Sequence, residues 1–204
     1  MSGSSSVDLV YDYVKRQIAD NAIFPGNSIV EEELAQKTGV SRISVRGALT
    51  RLRYEGFIES RPNHSARLVS PSKAEMAQIF EARYTVECRA IALAMKKKTP
   101  AQIKRLRELL NEGAKTDNMF SMPDYVNLNR ALHFEMINGC GNSYYIKFLN
   151  ELYNKCGVYL IFFDKSQSNE ASKETHTKLV DAFEKGDHEA VAKALREDLD
   201  LVSF

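Results

Sequence analysis

Val7, Val10, Tyr11, Val14 and Ile18 recur at intervals of three and four residues. That spacing predicts an amphipathic helix over residues 7–23, ended by the Phe24-Pro25-Gly26-Asn27 turn. A short second helix is predicted over 31–38. Gly39 breaks it, and Ser41 can cap a third helix running to residue 55. Beyond Gly56 the period changes. Phe57-Ile58-Glu59-Ser60 and Ala66-Arg67-Leu68-Val69 read as two strands around a Pro-Asn-His-Ser turn, a small β-hairpin.

After Ser70-Pro71-Ser72 the pattern becomes helical throughout. Six stretches are predicted, over 73–97, 101–115, 122–138, 143–163, 168–185 and 187–202. Thr99-Pro100 opens the second of these, Gly139 and Gly141 flank the break before the fourth, and Gly186-Asp187 separates the last two. The fold class is therefore mainly α: residues 7–70 form a three-helix module with a hairpin, and residues 71–204 an all-helical bundle. Residues 1–6, Met-Ser-Gly-Ser-Ser-Ser, have no apolar signal core and read as a disordered tail or cloning scar.

Charge sharpens the picture of the first module. The whole chain carries a net charge of only +1. Residues 39–70, however, hold six arginines (Arg42, Arg46, Arg51, Arg53, Arg61 and Arg67) against two acids, Glu55 and Glu59. Three consecutive acids, Glu31, Glu32 and Glu33, lie just before. Clustered arginines on a small module suit phosphate contact, whereas a solvated mixed-charge face is the alternative. No apolar run approaches the roughly 20 residues of a membrane span. Cys88, Cys140 and Cys156 are odd in number and make no C-x-x-C pair, which points to a reducing, cytoplasmic setting.

Ala35, Gly39 and Val45 follow the spacing A-x3-G-x5-V. A small residue at 35 lets the second helix approach the third, glycine at 39 permits the tight turn, and a branched residue at 45 wedges the pair. With a Ser/Arg-rich start to the third helix and a hairpin behind it, this is a winged helix-turn-helix. Its third helix would enter the DNA major groove N-terminus first, bringing Ser41, Arg42, Ser44 and Arg46 to DNA. Arginine can read guanine bidentately, and serine hydroxyls suit phosphate. His64, in the hairpin turn, is placed for phosphate or solvent.

In the helical domain, polar residues interrupt four apolar stripes. Asp198 lies among Val191, Ala194, Leu195, Leu201 and Val202. Asn129 and His133 lie on the stripe of Val126, Met136 and Ile137. His176 shares a face with Leu179, Val180 and Phe183, and Arg83 with Ile79, Val86 and Ala90. Singly, each fits a hydrogen-bonded core residue, and Arg83 would pair with a nearby acid such as Glu87. Together they suggest a polar cavity, because unpaired polar groups in a core are costly. Asn129, His133, His176 and Asp198 make a nitrogen/oxygen donor set suited to a divalent transition metal (zinc, nickel or manganese) rather than calcium.

Pro25-Gly26, Glu33-Leu34-Ala35, Gly39-Val40-Ser41-Arg42, Val45-Arg46, Ala48-Leu49, Leu52, Glu55-Gly56-Phe57-Ile58 and Arg61-Pro62-Asn63 resemble the GntR-family winged-helix signature. Two positions depart from it. Glu32 stands where some members place a DNA-contacting arginine, and Ser65 replaces the usual wing glycine. Arg83-x3-Glu87, His133, Gly141-Asn142, His176 and Gly186-Asp187 resemble the FCD domain, in its six-helix variant. The resemblance implies operator contacts by Arg42 and Arg46, with Ser41 and Ser44 assisting, and a wing tip in the minor groove. It also implies a small carboxylate effector met by Arg83 and Asn142, and a metal held by one aspartate and three histidines. Here Asn129 stands in place of the aspartate and Asp198 in place of the third histidine. Two readings stay open for that site: a retained metal, or a hydrogen-bonded cluster that has replaced it.

The expected function is a homodimeric, DNA-binding transcription regulator on a palindromic operator, a repressor controlled by an organic acid, and not an enzyme. Two alternatives remain: a regulator whose helical domain only dimerises, and a metal-dependent enzyme acting on a small acid. The second lacks a separate general base.

Overall fold

The computed structural model describes residues 5–60, 65–114, 122–163 and 169–200. These residues form two compact units. The first comprises the N-terminal residues to Ser72 together with Asn154–Phe162. The second holds Lys73–Tyr153 and the residues from Phe163 onward. Among the described residues, no helix is long and apolar enough to cross a membrane.

The first unit opens with α1 (Ser6–Ala19), so Ser5 and Ser6 do not belong to a disordered tail. Ser5 is its N-cap: the Ser5 hydroxyl accepts from the Asp8 amide at 3.1 Å while the Asp8 carboxylate takes the Ser5 amide at 3.1 Å. That reciprocal capping box satisfies two amides that the helix start leaves open. α1 ends at Ala19 rather than residue 23, and Asn21 takes a left-handed φ of 55°, a conformation asparagine tolerates better than most residues. Then follow β1 (Ser28–Ile29), α2 (Glu31–Thr38), α3 (Arg42–Tyr54), β2 (Ile58–Glu59) and β3 (Ala66–Leu68).

Gly39 adopts φ 70° at the end of α2 and returns its amide to the Ala35 carbonyl at 2.9 Å, a left-handed stop that glycine makes without a Cβ penalty. The strands form one antiparallel sheet in the order β1-β3-β2, with Ile29 opposite Ala66 and Ile58 opposite Leu68. The expected hairpin thus gains a third strand. Val10, Val14, Ile18, Leu34, Val45, Leu52, Ile58 and Leu68 fill the core, joined by Val158.

The second unit contains α4 (Lys73–Met95), α5 (Pro100–Ala114), α6 (Met122–Ile137), the first half of α7 (Ser143–Phe163), α8 (Asn169–Lys185) and α9 (His188–Asp200). α4 packs on α6 and α9, α5 on α6 and α8, and α8 on α9. Gln102 of α5 donates to the Glu135 and Asn138 carbonyls at 2.6 and 3.0 Å, satisfying the open end of α6. Gly186, at φ 81°, lets α8 turn tightly into α9, whose start Asp187 caps through the Ala190 amide at 3.0 Å. Leu201 and Val202, assigned to the stripe of the last helix, lie outside the described residues.

Candidate DNA face and polar centre

α3 buries Val45, Ala48, Leu49 and Leu52. At 100° per residue, Ile43, Arg46 and Thr50 then lie on the opposite side, with Arg42 at its edge. Ser41 caps the helix, its hydroxyl accepting from the Ser44 amide at 3.2 Å and lying 3.0 Å from the Ser44 hydroxyl. The expected serine pair is therefore engaged with itself at the helix start. Arg42 and Arg46 are open to solvent, with side chains 63% and 68% exposed. Both are nevertheless paired: Arg42 with Glu32, and Arg46 Nε with Glu31 Oε2 at 2.8 Å. Arg51 belongs to the fold instead, held by Glu55 at 3.0 Å and Asp8 at 3.1 Å. Ile43 is 83% exposed on the outer face, a feature the apolar pattern did not single out. Ser65, at the wing-glycine position, donates its hydroxyl to that of Ser28 at 3.1 Å. His64 lies outside the described residues.

In the helical unit, the four interrupted stripes meet. On α4, Arg83 Nε donates to Glu87 Oε2 at 2.9 Å, and both side chains are buried. Tyr153 of α7 accepts from Arg83 Nη2 at 2.5 Å and donates to Glu87 at 2.9 Å. His133 of α6 places Nδ1 2.5 Å from the other Glu87 oxygen. Burial alone would raise the Glu87 carboxyl, but Arg83 and His133 outweigh it and hold it down at about 2. An ionised Glu87 accepts only, so His133 carries its proton on Nδ1 and turns Nε2 inward. Burial opposes charge on His133 too, yet Glu87 and Asp198 raise its pKa.

His133 Nε2 lies 3.3 Å from Asp198 Oδ2, and His176 Nε2 lies 3.0 Å from Asp198 Oδ1. The two rings meet edge to face at 5.3 Å. One ligand atom from each of His133, His176 and Asp198 falls within 4.8 Å of the others. Burial would raise the Asp198 carboxyl, but His176 and His133 hold it well below the usual carboxylate range. Neither Nε2 has the alignment of a hydrogen bond, and Asn129 Oδ1 is likewise buried without a partner. Both Nε2 atoms therefore meet Asp198 as ion-pair neighbours, while Asn129 Oδ1 is left without a hydrogen-bond partner among the described residues.

A cavity of about 280 Å³ opens beside this centre, among α5, α6 and α8. Asn129 and His176 line it together with Tyr125, Ser172, Lys173 and the apolar Leu109, Leu128 and Leu132. Arg83 is not among its lining residues. Asn142 sits elsewhere, at the start of α7, where its Oδ1 accepts from the Tyr144 and Tyr145 amides at 3.0 and 3.3 Å.

The FCD domain profile matches residues 78–201, and the profile of bacterial regulatory proteins of the gntR family matches residues 7–68. This chain is a GntR-family protein with an FCD domain. Among its relatives, the HTH-type transcriptional regulator McbR of Escherichia coli K12 is 26% identical over 144 residues, 71% of this chain and 65% of McbR. The HTH-type transcriptional repressor RspR of the same strain is 25% identical over 197 residues, covering 95% of this chain and 86% of RspR. The solved structure of E. coli McbR superposes with a TM-score of 0.81 at 24% identity, covering 96% of this chain and 94% of that one, a likeness of fold. Sequence reasoning missed three contributors within this family frame. Tyr153 sits on a helix too uniformly apolar to mark one face. Glu31 and Glu32 stood out as part of an acidic run, but their pairing with arginines 15 and 10 positions away follows no local rule.

Proposed function

We propose that this GntR-family protein is a sequence-specific DNA-binding transcription regulator, acting as a repressor and controlled by a small organic acid at a metal centre in its helical unit. The DNA half rests on the outward face of α3, where Arg42 and Arg46 stand at the start of a capped helix in a winged-helix frame. Ser41 and Ser44 shape that start, and His64, outside the described residues, is assigned by the sequence alone to phosphate or solvent. A homodimer on a palindromic operator completes the arrangement, as two-fold symmetry requires.

The residues of the polar centre fit a divalent transition metal. One imidazole nitrogen from each of His133 and His176 and a carboxylate oxygen of Asp198 lie within 4.8 Å of one another, and Asn129 Oδ1, on the same cavity wall as His176, has no hydrogen-bond partner among the described residues. His133 is oriented from behind by Glu87, the second partner that metal-bound histidines regularly have. A metal held by His133, His176, Asp198 and Asn129 would supply Lewis acidity for a carboxylate entering the cavity. Leu109, Leu128 and Leu132 suit an apolar body on that acid, and Lys173 and Tyr125 its polar groups. Arg83 acts here as the counter-ion of Glu87, and Asn142 as a helix cap.

Selection of duplexes from a random pool by the full-length protein tests the DNA reading. A palindromic consensus bound by the wild type, and lost in Arg42→Ala/Arg46→Ala, is expected. Recovery of no consensus, or undiminished binding by the double variant, defeats it.

A further inference from the structure

Both arginines of the outward α3 face are occupied in the DNA-free protein. Arg46 Nε sits 2.8 Å from Glu31 Oε2, and Arg42 is paired with Glu32. The two acids are consecutive at the first turn of α2, and the two arginines are four residues apart on α3. One acidic dipeptide thus holds both cations. Glu33, next in the run, is exposed and makes neither pair. All four paired side chains are more than a third exposed, so the pairs contribute little to folding. Their consequence falls on whatever the arginines must bind.

We propose that Glu31 and Glu32 are specificity-determining residues that keep Arg42 and Arg46 from engaging DNA of arbitrary sequence; this rests on the DNA-binding reading of α3. To reach DNA, each guanidinium must leave a carboxylate, and the freed carboxylate then faces a polyanion. A guanine edge offering two aligned acceptors compensates for that exchange. A lone phosphate on a random sequence compensates less, because it replaces one anion with another and leaves the glutamate near the backbone. The pair therefore penalises non-specific binding more than operator binding, a discrimination built from a repulsive element as well as an attractive one. It also mutes the salt dependence. Salt eases the opening of each glutamate pair while it weakens the phosphate contact that replaces it, so the two dependences partly cancel.

The experiment measures fluorescence anisotropy of full-length protein on the selected duplex and on a shuffled duplex of the same composition, across a KCl series. Glu32→Gln and Glu31→Gln should each strengthen binding to the shuffled duplex by about fivefold, the value of removing one unit charge at contact distance in water. Operator affinity should rise less, so that the specificity ratio falls, and the salt slope should steepen. Glu33→Gln removes the same charge from the same turn without releasing an arginine, and its slope and ratio should stay within half of those shifts. Thermal midpoints of the three variants confirm equal folding. If Glu32→Gln and Glu31→Gln match Glu33→Gln, or weaken operator binding, the proposal is overturned; the second result would make the carboxylates direct readers of DNA. Indifference of both duplexes to Arg42→Ala and Arg46→Ala would instead fail the underlying DNA reading.

Discussion

Replacing Arg83 with methionine distinguishes a structural counter-ion from a ligand receptor. Arg83 is 2% exposed and Glu87 is fully buried, with the carboxylate held at about 2 by its neighbours. Removing the guanidinium leaves an ionised carboxylate in the core, which costs roughly 3–5 kcal/mol when one partner of a buried pair is lost. His133 Nδ1 and the Tyr153 hydroxyl still donate to Glu87, so the lower end, about 3 kcal/mol, is expected. For a chain of this size that lowers the thermal midpoint by roughly 6–12 °C. Differential scanning calorimetry of metal-free wild type, Arg83→Met and Arg83→Met/Glu87→Gln reads it directly. The double variant neutralises the stranded charge while keeping hydrogen bonds to His133 and Tyr153, and should recover at least half the loss. A single variant melting within about 2 °C of wild type would refute the reasoning, and would leave Arg83 available for a ligand carboxylate.

Ser41→Ala removes the α3 cap and should lower stability by about 1 kcal/mol in urea titration; an unchanged midpoint would mean the cap hydrogen bond contributes nothing. Gly39→Ala meets no atom within 4 Å, so its cost, roughly 1 kcal/mol, should be the left-handed backbone alone. A much larger loss would point to a packing conflict that the structure does not contain. Ile43, the exposed β-branched residue next to Arg42, suits a thymine methyl under the proposed docking of α3. Replacing single operator thymines by deoxyuridine should weaken wild-type binding at one half-site position, and the same substitution should leave Ile43→Ser indifferent; equal losses in both proteins would exclude the contact.

The helices were legible because their stripes are long and their punctuation is strong. Pro100, Gly139 and Gly186 stop or start elements through backbone chemistry that no tertiary contact overrides. The two-residue strand β1 was not legible, since Ser28–Ile29 is too short to show alternation and exists only through pairing with β3. Ser5 was hidden by its low-complexity surroundings, although the Ser-x-x-Asp spacing to Asp8 was present. In the polar centre, periodicity placed Asn129, His133, His176 and Asp198 on inward faces because each interrupts an apolar stripe. It could not show that Glu87 would fix the His133 tautomer or that Tyr153 would close the network. Those contacts join residues 46 and 66 positions apart. Nor could it separate Arg83 from the cavity, since facing inward is common to a ligand residue and a buried counter-ion.

The claim on which control of the regulator depends is that the polar centre holds a metal. Calorimetric titration of Zn²⁺ into chelator-stripped full-length protein tests it most directly. One equivalent per chain is expected, weakened roughly 100-fold or more in His133→Ala, His176→Ala and Asp198→Ala, and about 10- to 100-fold in Glu87→Gln, which loosens His133 without touching the ion. No uptake by the wild type, or uptake indifferent to all four substitutions, would contradict the account.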